Sequence, residues 1–70
     1  MYYFYFKIVS DDDNEGELIA IFKYDDTFRD WDGARAQVSN ELETEWWTSE
    51  SINQVEFETY QAFGIKEIKL

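Results

Sequence analysis

The sequence contains no cysteine, no proline and no histidine, and only three of its 70 residues are glycine. Without cysteine the chain can form neither a disulfide nor a thiolate zinc site. The shortage of proline and glycine is untypical of a linker or a disordered chain, and the lack of histidine removes the commonest general base. Three Trp, five Tyr and six Phe remain to build a core, which predicts one small ordered domain over residues 1–70.

Basic residues are also scarce. Six lysines and arginines stand against sixteen aspartates and glutamates, a net charge of −10 at pH 7. Such a chain lacks the cations that displace counterions from nucleic-acid phosphates, and anionic membranes repel it. It has no apolar run of the ~20 residues that span a membrane, and its apolar start has no basic segment before it, unlike a signal peptide. We therefore expect a cytoplasmic protein that binds neither nucleic acid nor membrane directly.

The opening stretch, residues 1–9, is almost entirely aromatic or β-branched. Such side chains favour a strand. Because side chains alternate across a strand, Tyr3 and Tyr5 share one face while Phe4 and Phe6 share the other, so both faces are apolar. The second face must therefore be covered, either by more of this chain or by a partner.

A hairpin and then a helix are predicted next. Residues 10–16 form a polar turn ending in glycine, and residues 17–24 alternate like a strand, a pattern typical of a β-hairpin. An amphipathic helix is predicted over residues 30–46. Trp46 and Trp47 cannot both face inward at its end, so one indole should point toward a neighbour or solvent. The apolar residues that recur at helical spacing are Trp31, Ala34, Val38 and Leu42.

A second helix is predicted over residues 51–63, after a break at residues 48–51. Its start matches a capping box that begins at Ser51, and Gly64 followed by Ile65 matches a glycine C-cap. A strand is the alternative, because apolar residues also alternate with acids here, but caps at both ends favour the helix. The predicted apolar face consists of Ile52, Val55, Thr59, Ala62 and Phe63.

Residues 65–70 complete the prediction as a strand that joins the hairpin. The predicted fold class is α+β: a small single-layer antiparallel sheet, made of the N-terminal hairpin plus the C-terminal strand. Two helices lie on one face of this sheet, and the element order is β-β-α-α-β.

No residue pattern predicts catalysis, a cofactor or a metal site. The four serines have neither a histidine nor a suitably placed lysine beside them, and each suits a turn, a cap or the surface. Residues 11–17 place acids at the first, third and fifth positions of a calcium-binding loop, but Phe22 occupies the twelfth, where the bidentate glutamate belongs. We therefore predict a non-enzymatic protein with a solvated hairpin turn.

The acidic residues suggest imitation of a nucleic acid. Ten net charges match about 17 Å of duplex DNA, so mimicry of a longer stretch requires the acids to crowd onto one face. Asp30, Glu41 and Glu45 are predicted along one flank of the first helix, and Asp11, Asp12 and Asp13 lie in the hairpin turn. The alternative is an acidic surface that serves only solubility.

In size, charge and aromatic content the chain resembles the small acidic inhibitors that bacteriophages encode against restriction, CRISPR or host transcription proteins. No residue-level motif carries this resemblance, and it assigns no residue a role. It implies a viral inhibitor that acts in the host cytoplasm.

The aromatic residues point to a protein interface, where they are commonly enriched. Trp46 and Trp47 are the candidate contact residues, and a homodimer through the second face of the sheet is the simplest oligomer. We predict a small acidic inhibitor that mimics nucleic-acid charge to bind the basic surface of a protein, one that itself binds nucleic acid. The alternative is a structural or assembly protein that forms a homo-oligomer through aromatic surfaces.

Overall fold

The computed structural model of the protein describes residues 3–11, 16–25 and 31–70. The described chain forms a four-stranded mixed sheet with strand order β3-β1-β2-β4, in which β1 is antiparallel to β2 and β3, and β4 is parallel to β2. The α+β class and the hairpin are confirmed. The antiparallel sheet is wrong because β4 is parallel to β2, and the β-β-α-α-β order is wrong because the predicted break at residues 48–51 lies in a strand. The elements are β1 (Tyr3–Ser10), β2 (Leu18–Asp25), α1 (Trp31–Leu42), β3 (Trp47–Ile52), α2 (Gln54–Ala62) and β4 (Glu67–Ile68).

The two helices cover opposite faces of the sheet, which corrects the prediction that both lie on one face. On one face α1 packs through Val38 against Ile8 and Phe22. On the other, α2 packs through Phe57 against Ile21 and Ile52. The second apolar face of β1 is thus partly covered by this chain itself, with the Tyr5 and Phe57 rings 5.0 Å apart.

The strand order explains why the helices separate. The connection β2-α1-β3 crosses β1 in one direction along the sheet, whereas β3-α2-β4 crosses β1 and β2 in the other. Strand-crossover-strand connections between parallel strands are almost always right-handed. Two crossovers of the same hand that run in opposite directions must place their helices on opposite faces.

A β-bulge shifts the pairing of β1 with β2. Ile8 pairs with Ala20 but Val9 pairs with Leu18, which leaves Ile19 as the extra residue. An extra residue reverses the inward and outward alternation on one side of the bulge. Leu18 therefore packs on the α2 side of the sheet, while Ile19 and Ala20 both pack on the α1 side.

Both ends of α2 are capped by side-chain or backbone hydrogen bonds. Its N-cap is Asn53, whose Oδ1 accepts a 2.8 Å bond from the Glu56 N–H, so the cap lies two residues beyond the predicted Ser51. At the other end the N–H groups of Gly64 and Ile65 donate to Gln61 O and Tyr60 O, 3.0 and 3.1 Å away. Gly64 has φ +83°, so the predicted glycine C-cap is confirmed as a Schellman motif.

The predicted apolar face of α2 turns toward solvent. The helix buries Phe57 and half-buries Tyr60, whereas Val55 and Phe63 are 71% and 77% exposed. Thr59 and Ala62 are also exposed. We call these four outward residues (Val55, Thr59, Ala62 and Phe63) the α2 stripe. It lies opposite the packed side of the helix, so the helical period was predicted correctly and the buried side was not.

Glu67 in the short strand β4 contacts α2 and the residues that follow β4. Gln61 Nε2 donates to Glu67 Oε1 over 2.7 Å, and Lys69 Nζ lies 3.0 Å from Glu67 Oε2. Burial alone would raise the pKa of this carboxyl, but the hydrogen bonds from Gln61 and Lys69 and the charges of Lys69 and Lys23 outweigh it, so the pKa is lowered. The ionised form of Glu67 therefore stabilises the folded state.

Replacing Glu67 with glutamine should lower the free energy of unfolding at pH 7. Because the folded-state pKa is depressed, the contribution is present above the unfolded value near 4.5 and is lost as the pH falls through the folded value. Urea unfolding of both proteins at a series of pH values measures this difference. A difference that stays constant down to acid pH would show that charge on Glu67 plays no part.

No helix in the described parts of the chain is long and apolar enough to cross a membrane.

Candidate functional site

The candidate site begins at the C-terminal end of α1. The Glu43 N–H donates to Asn40 O over 3.3 Å, and the Thr44 N–H donates to Ser39 O over 3.2 Å. This is the hydrogen-bond pattern of a Schellman motif, which places one residue in the left-handed region. Glycine usually holds that position, but here it is Glu43, with φ +58°. A side chain in this conformation costs roughly 1–2 kcal/mol.

The turn that follows sends its two tryptophans in opposite directions. The Trp46 N–H donates to Thr44 Oγ1 and the Trp47 N–H to Glu45 O, each over 3.1 Å. Trp46 is 70% exposed, whereas Trp47 is 3% exposed. The expectation that the two indoles separate is therefore confirmed, although both residues lie beyond the end of the helix. Glu45 also lies beyond it, so the flank predicted on the first helix does not extend that far.

Trp47 belongs to the core, which corrects its assignment as a contact residue. Its indole Nε1–H donates to Ser39 Oγ over 2.9 Å, and the Arg35 guanidinium lies 4.5 Å from its ring centre. The ring packs in the same cluster as Ile8 and Phe22. A buried indole with its N–H satisfied anchors β3 to α1. This anchor fixes the position of the backbone next to Trp46.

Asp11 is joined to this turn from the end of β1. Its N–H donates to Trp46 O over 3.0 Å, and its Oδ2 accepts a 2.5 Å bond from Thr48 Oγ1. Asp11 is itself exposed. These bonds join one acid of the hairpin turn to the backbone of Trp46, which sequence spacing alone could not show.

We call Asp11, Glu41, Glu43, Glu45 and Trp46 the acidic turn site; all five are exposed. Asp11, Glu41, Glu45 and Trp46 were predicted from the sequence, and Glu43 was missed. Asp12, Asp13 and Asp30 lie outside the described residues.

The glutamates of the acidic turn site lie near the C-terminal end of α1, where negative charge is unfavourable. The C-terminal end of a helix carries partial negative charge, so an acid there destabilises by roughly 0.3–1 kcal/mol. The last turn of α1 contains no basic residue, and no ion pair within the described ranges joins these glutamates to a base. Lys66 Nζ does reach Glu41 O, 3.4 Å away. The placement of these acids therefore does not stabilise the helix.

A cleft borders the site, lined by Arg35, Ala36, Ser39, Asn40 and Glu45. Arg35 lines this cleft, and its guanidinium is stacked on Trp47. Among the described residues, no group of three or more aspartates and glutamates is placed to hold a metal ion. The acidic turn site presents carboxylates and an indole to solvent.

The chain matches no known family model, no curated protein and no solved structure. Its function is therefore inferred from the geometry of the acidic turn site.

Replacing Glu43 with glycine should raise the free energy of unfolding by about 1 kcal/mol, because glycine adopts positive φ without strain. It also removes a negative charge from the C-terminal end of the helix. Glu43→Ala is the matched control, since it removes the same charge but keeps a Cβ. Urea unfolding should show the glycine variant as the more stable of the two. Equal stability of the variants would mean that residue 43 carries no backbone strain.

Proposed function

We propose that the protein is a non-enzymatic binding protein that docks onto the basic surface of another protein through the acidic turn site. The observation that carries this proposal is the succession of exposed Glu41, Glu43 and Glu45 just before exposed Trp46 at the end of α1. Glu41 and Glu43 place negative charge at the C-terminal end of α1, which weakens the helix, and Glu43 occupies a strained backbone position. Departures from local stability of this kind are concentrated at functional sites.

The chemistry of the site supports a protein partner. An exposed tryptophan is the residue type most often found among the dominant contacts of protein interfaces. Carboxylates around it favour a basic partner, steer its approach and disfavour acidic competitors. A net charge of −10 opposes binding to nucleic acid itself.

The shape of the molecule supports imitation of a short stretch of phosphates rather than of a long duplex. The Cα atoms extend over 37 × 27 × 16 Å. A duplex of the longest dimension carries about 22 charges, more than twice the net charge of this chain. The described acids also lie on both helices, for example Asp32 on α1 and Glu58 on α2, and these helices cover opposite faces. A local acidic patch is the form of mimicry that such a distribution favours.

The proposed partner is a protein whose basic surface ordinarily contacts nucleic acid. Occupation of that surface would block nucleic-acid binding, which makes the protein an inhibitor. The proposed setting is the cytoplasm, that of the host if the chain is viral. This proposal agrees with the size and charge resemblance to phage inhibitors noted from the sequence.

The experiment compares two variants of equal charge. A partner is recovered on the immobilised protein, and its association is then measured at several salt concentrations with duplex DNA as competitor. The triple variant E41Q/E43Q/E45Q should associate roughly tenfold more slowly, because charge steers the encounter. The control D32N/E56Q/E58Q removes the same charge elsewhere and should bind nearly as wild type. Equal effects of the two triples, or binding insensitive to salt and DNA, would contradict the proposal.

A second candidate function is a homo-oligomer assembled through apolar surfaces. The specific observation in its favour is the α2 stripe, in which Val55 and Phe63 are 71% and 77% exposed. Light scattering of the wild type and of V55S/F63S would test it. An oligomer that dissociates in the variant supports this candidate, and a wild type that stays monomeric at high concentration rejects it.

A further inference from the structure

The outer edge of β3 presents backbone hydrogen-bonding groups that no described strand uses. β3 lies at the edge of the sheet and pairs only with β1 among the described elements. The Asp11 N–H donates to Trp46 O, and this bond fixes which residues of β3 direct their backbone groups at β1. Since backbone groups alternate along an antiparallel ladder, Thr48, Glu50 and Ile52 point theirs at β1. The groups of Ser49 and Ser51, with Trp47 O, then point outward.

Apart from the charge of Glu50, this edge lacks the features that usually protect sheet edges. β3 contains no proline, no lysine and no bulge, and such features prevent pairing with other chains. Thr48, Glu50 and Ser51 are exposed. The opposite edge strand, β4, has only two residues. β3 is therefore the longer open edge in the described structure.

The charges around the edge indicate what it can accept. Glu50 projects from the strand itself, and the acidic turn site lies at the end where β3 begins. The bases Lys7 and Arg35 lie near β3: the Lys7 Nζ is 3.9 Å from Glu50 Oε1, and the Arg35 guanidinium is stacked on Trp47. A second copy of the chain also carries ten net negative charges and would bring its own acids to this edge, where like charges on paired strands repel. An extended segment rich in lysine or arginine complements the edge.

We propose that β3 binds an extended basic segment of the partner protein by strand addition. This inference rests on the proposed function and specifies how the partner is held. The outward N–H and C=O groups of Ser49 and Ser51 pair with the added strand, and this pairing supplies affinity independent of side chains. Basic side chains on the added strand reach Glu50 and the acidic turn site. At about 3.3 Å per residue, the six residues of β3 match a segment of roughly 20 Å.

The test uses a fluorescein-labelled nonapeptide of alternating lysine and valine as the probe. Its matched control is the same peptide N-methylated at alternate residues, which keeps the charge but removes the donors of one edge. On the protein side, Ser49→Pro removes an outward N–H and leaves the β1 ladder intact, whereas Ser49→Ala keeps that N–H. We expect the parent peptide to bind wild type and S49A equally. N-methylation or S49P should weaken binding at least tenfold.

Amide exchange measured by NMR supplies a second readout, because strand addition should slow exchange at Ser49 and Ser51. If S49P fails to fold, the two peptides on wild-type protein still decide the question. Equal binding of both peptides, or no binding of either, overturns strand addition. The proposed function is judged separately by the glutamine triple variant, so the two failures are distinguishable. A wild-type dimer that S49P abolishes would assign the edge to a second copy and would also overturn the proposal.

Discussion

Replacing Phe22 with alanine is expected to remove a large share of the protein's stability at 25 °C. Phe22 is 1% exposed in β2, and its ring stacks on Phe6 with centroids 5.1 Å apart and lies 6.2 Å from the Trp31 ring. Removing a buried phenylalanine side chain costs about 3–5 kcal/mol. A domain of this length has a total stability of roughly 4–10 kcal/mol. The substitution therefore removes a large share of it.

Circular dichroism during urea unfolding measures the effect of F22A. Phe4→Ala is the control, because Phe4 lies on the neighbouring strand β1 but is 53% exposed. Its loss should cost less than about 1 kcal/mol, since only part of its surface is removed from water. If F22A proves as stable as F4A, Phe22 does not lie at the centre of the core.

The adjacent tryptophans should respond oppositely to alanine. Trp47→Ala should cost about 3–5 kcal/mol of stability, because it removes a buried indole. It also removes the hydrogen bond to Ser39 and the stacking of Arg35. Trp46→Ala should change stability by less than about 0.5 kcal/mol, as is usual for an exposed side chain. Urea unfolding of the two variants gives this comparison.

Trp46→Ala should have little effect on stability but the larger direct effect on partner binding. W46A should remain folded and lose affinity for the partner, because its indole is the apolar centre of the acidic turn site. A W46A protein that binds as wild type would remove Trp46 from the site. A W47A protein as stable as wild type would contradict the burial of Trp47.

The hairpin and both helices were predictable because their side-chain periods are strong. The aromatic run of β1 and the glycine C-cap of α2 act locally, within a few residues, so the sequence alone carries their signal. The bulge at Ile19 was not predictable. It depends on how two strands pair, and it reverses a side-chain alternation that otherwise extends through residues 17–24.

β3 escaped prediction because its middle is polar. Thr48, Ser49, Glu50 and Ser51 are typical of a loop, but an edge strand with exposed side chains needs few apolar residues. When β3 is missing from the prediction, the crossover connections β2-α1-β3 and β3-α2-β4 cannot be recognised. The separation of the helices onto opposite faces then cannot be derived either.

The acidic turn site was partly predictable from composition and partly not. Glu41, Glu45 and Trp46 stand out as acids and an aromatic near the end of a helix. Glu43 has no such signal, since glutamate rarely ends a helix in the left-handed region and the predicted helix ran on to Trp46. The proximity of Asp11 arises from the pairing of β1 with β3, a contact between distant parts of the chain.

The order of the strands has a consequence for how the protein is made. β1 lies between β2 and β3 in the sheet, but Ser10 and Trp47 are 47 − 10 = 37 positions apart. At the usual pace of translation the ribosome needs roughly 2–7 s to make that interval. During this time β1 can pair only with β2, and an isolated hairpin is marginally stable. Its aromatic side chains are then free to join those of other nascent chains. The acids made in the same interval repel such neighbours until β3 arrives.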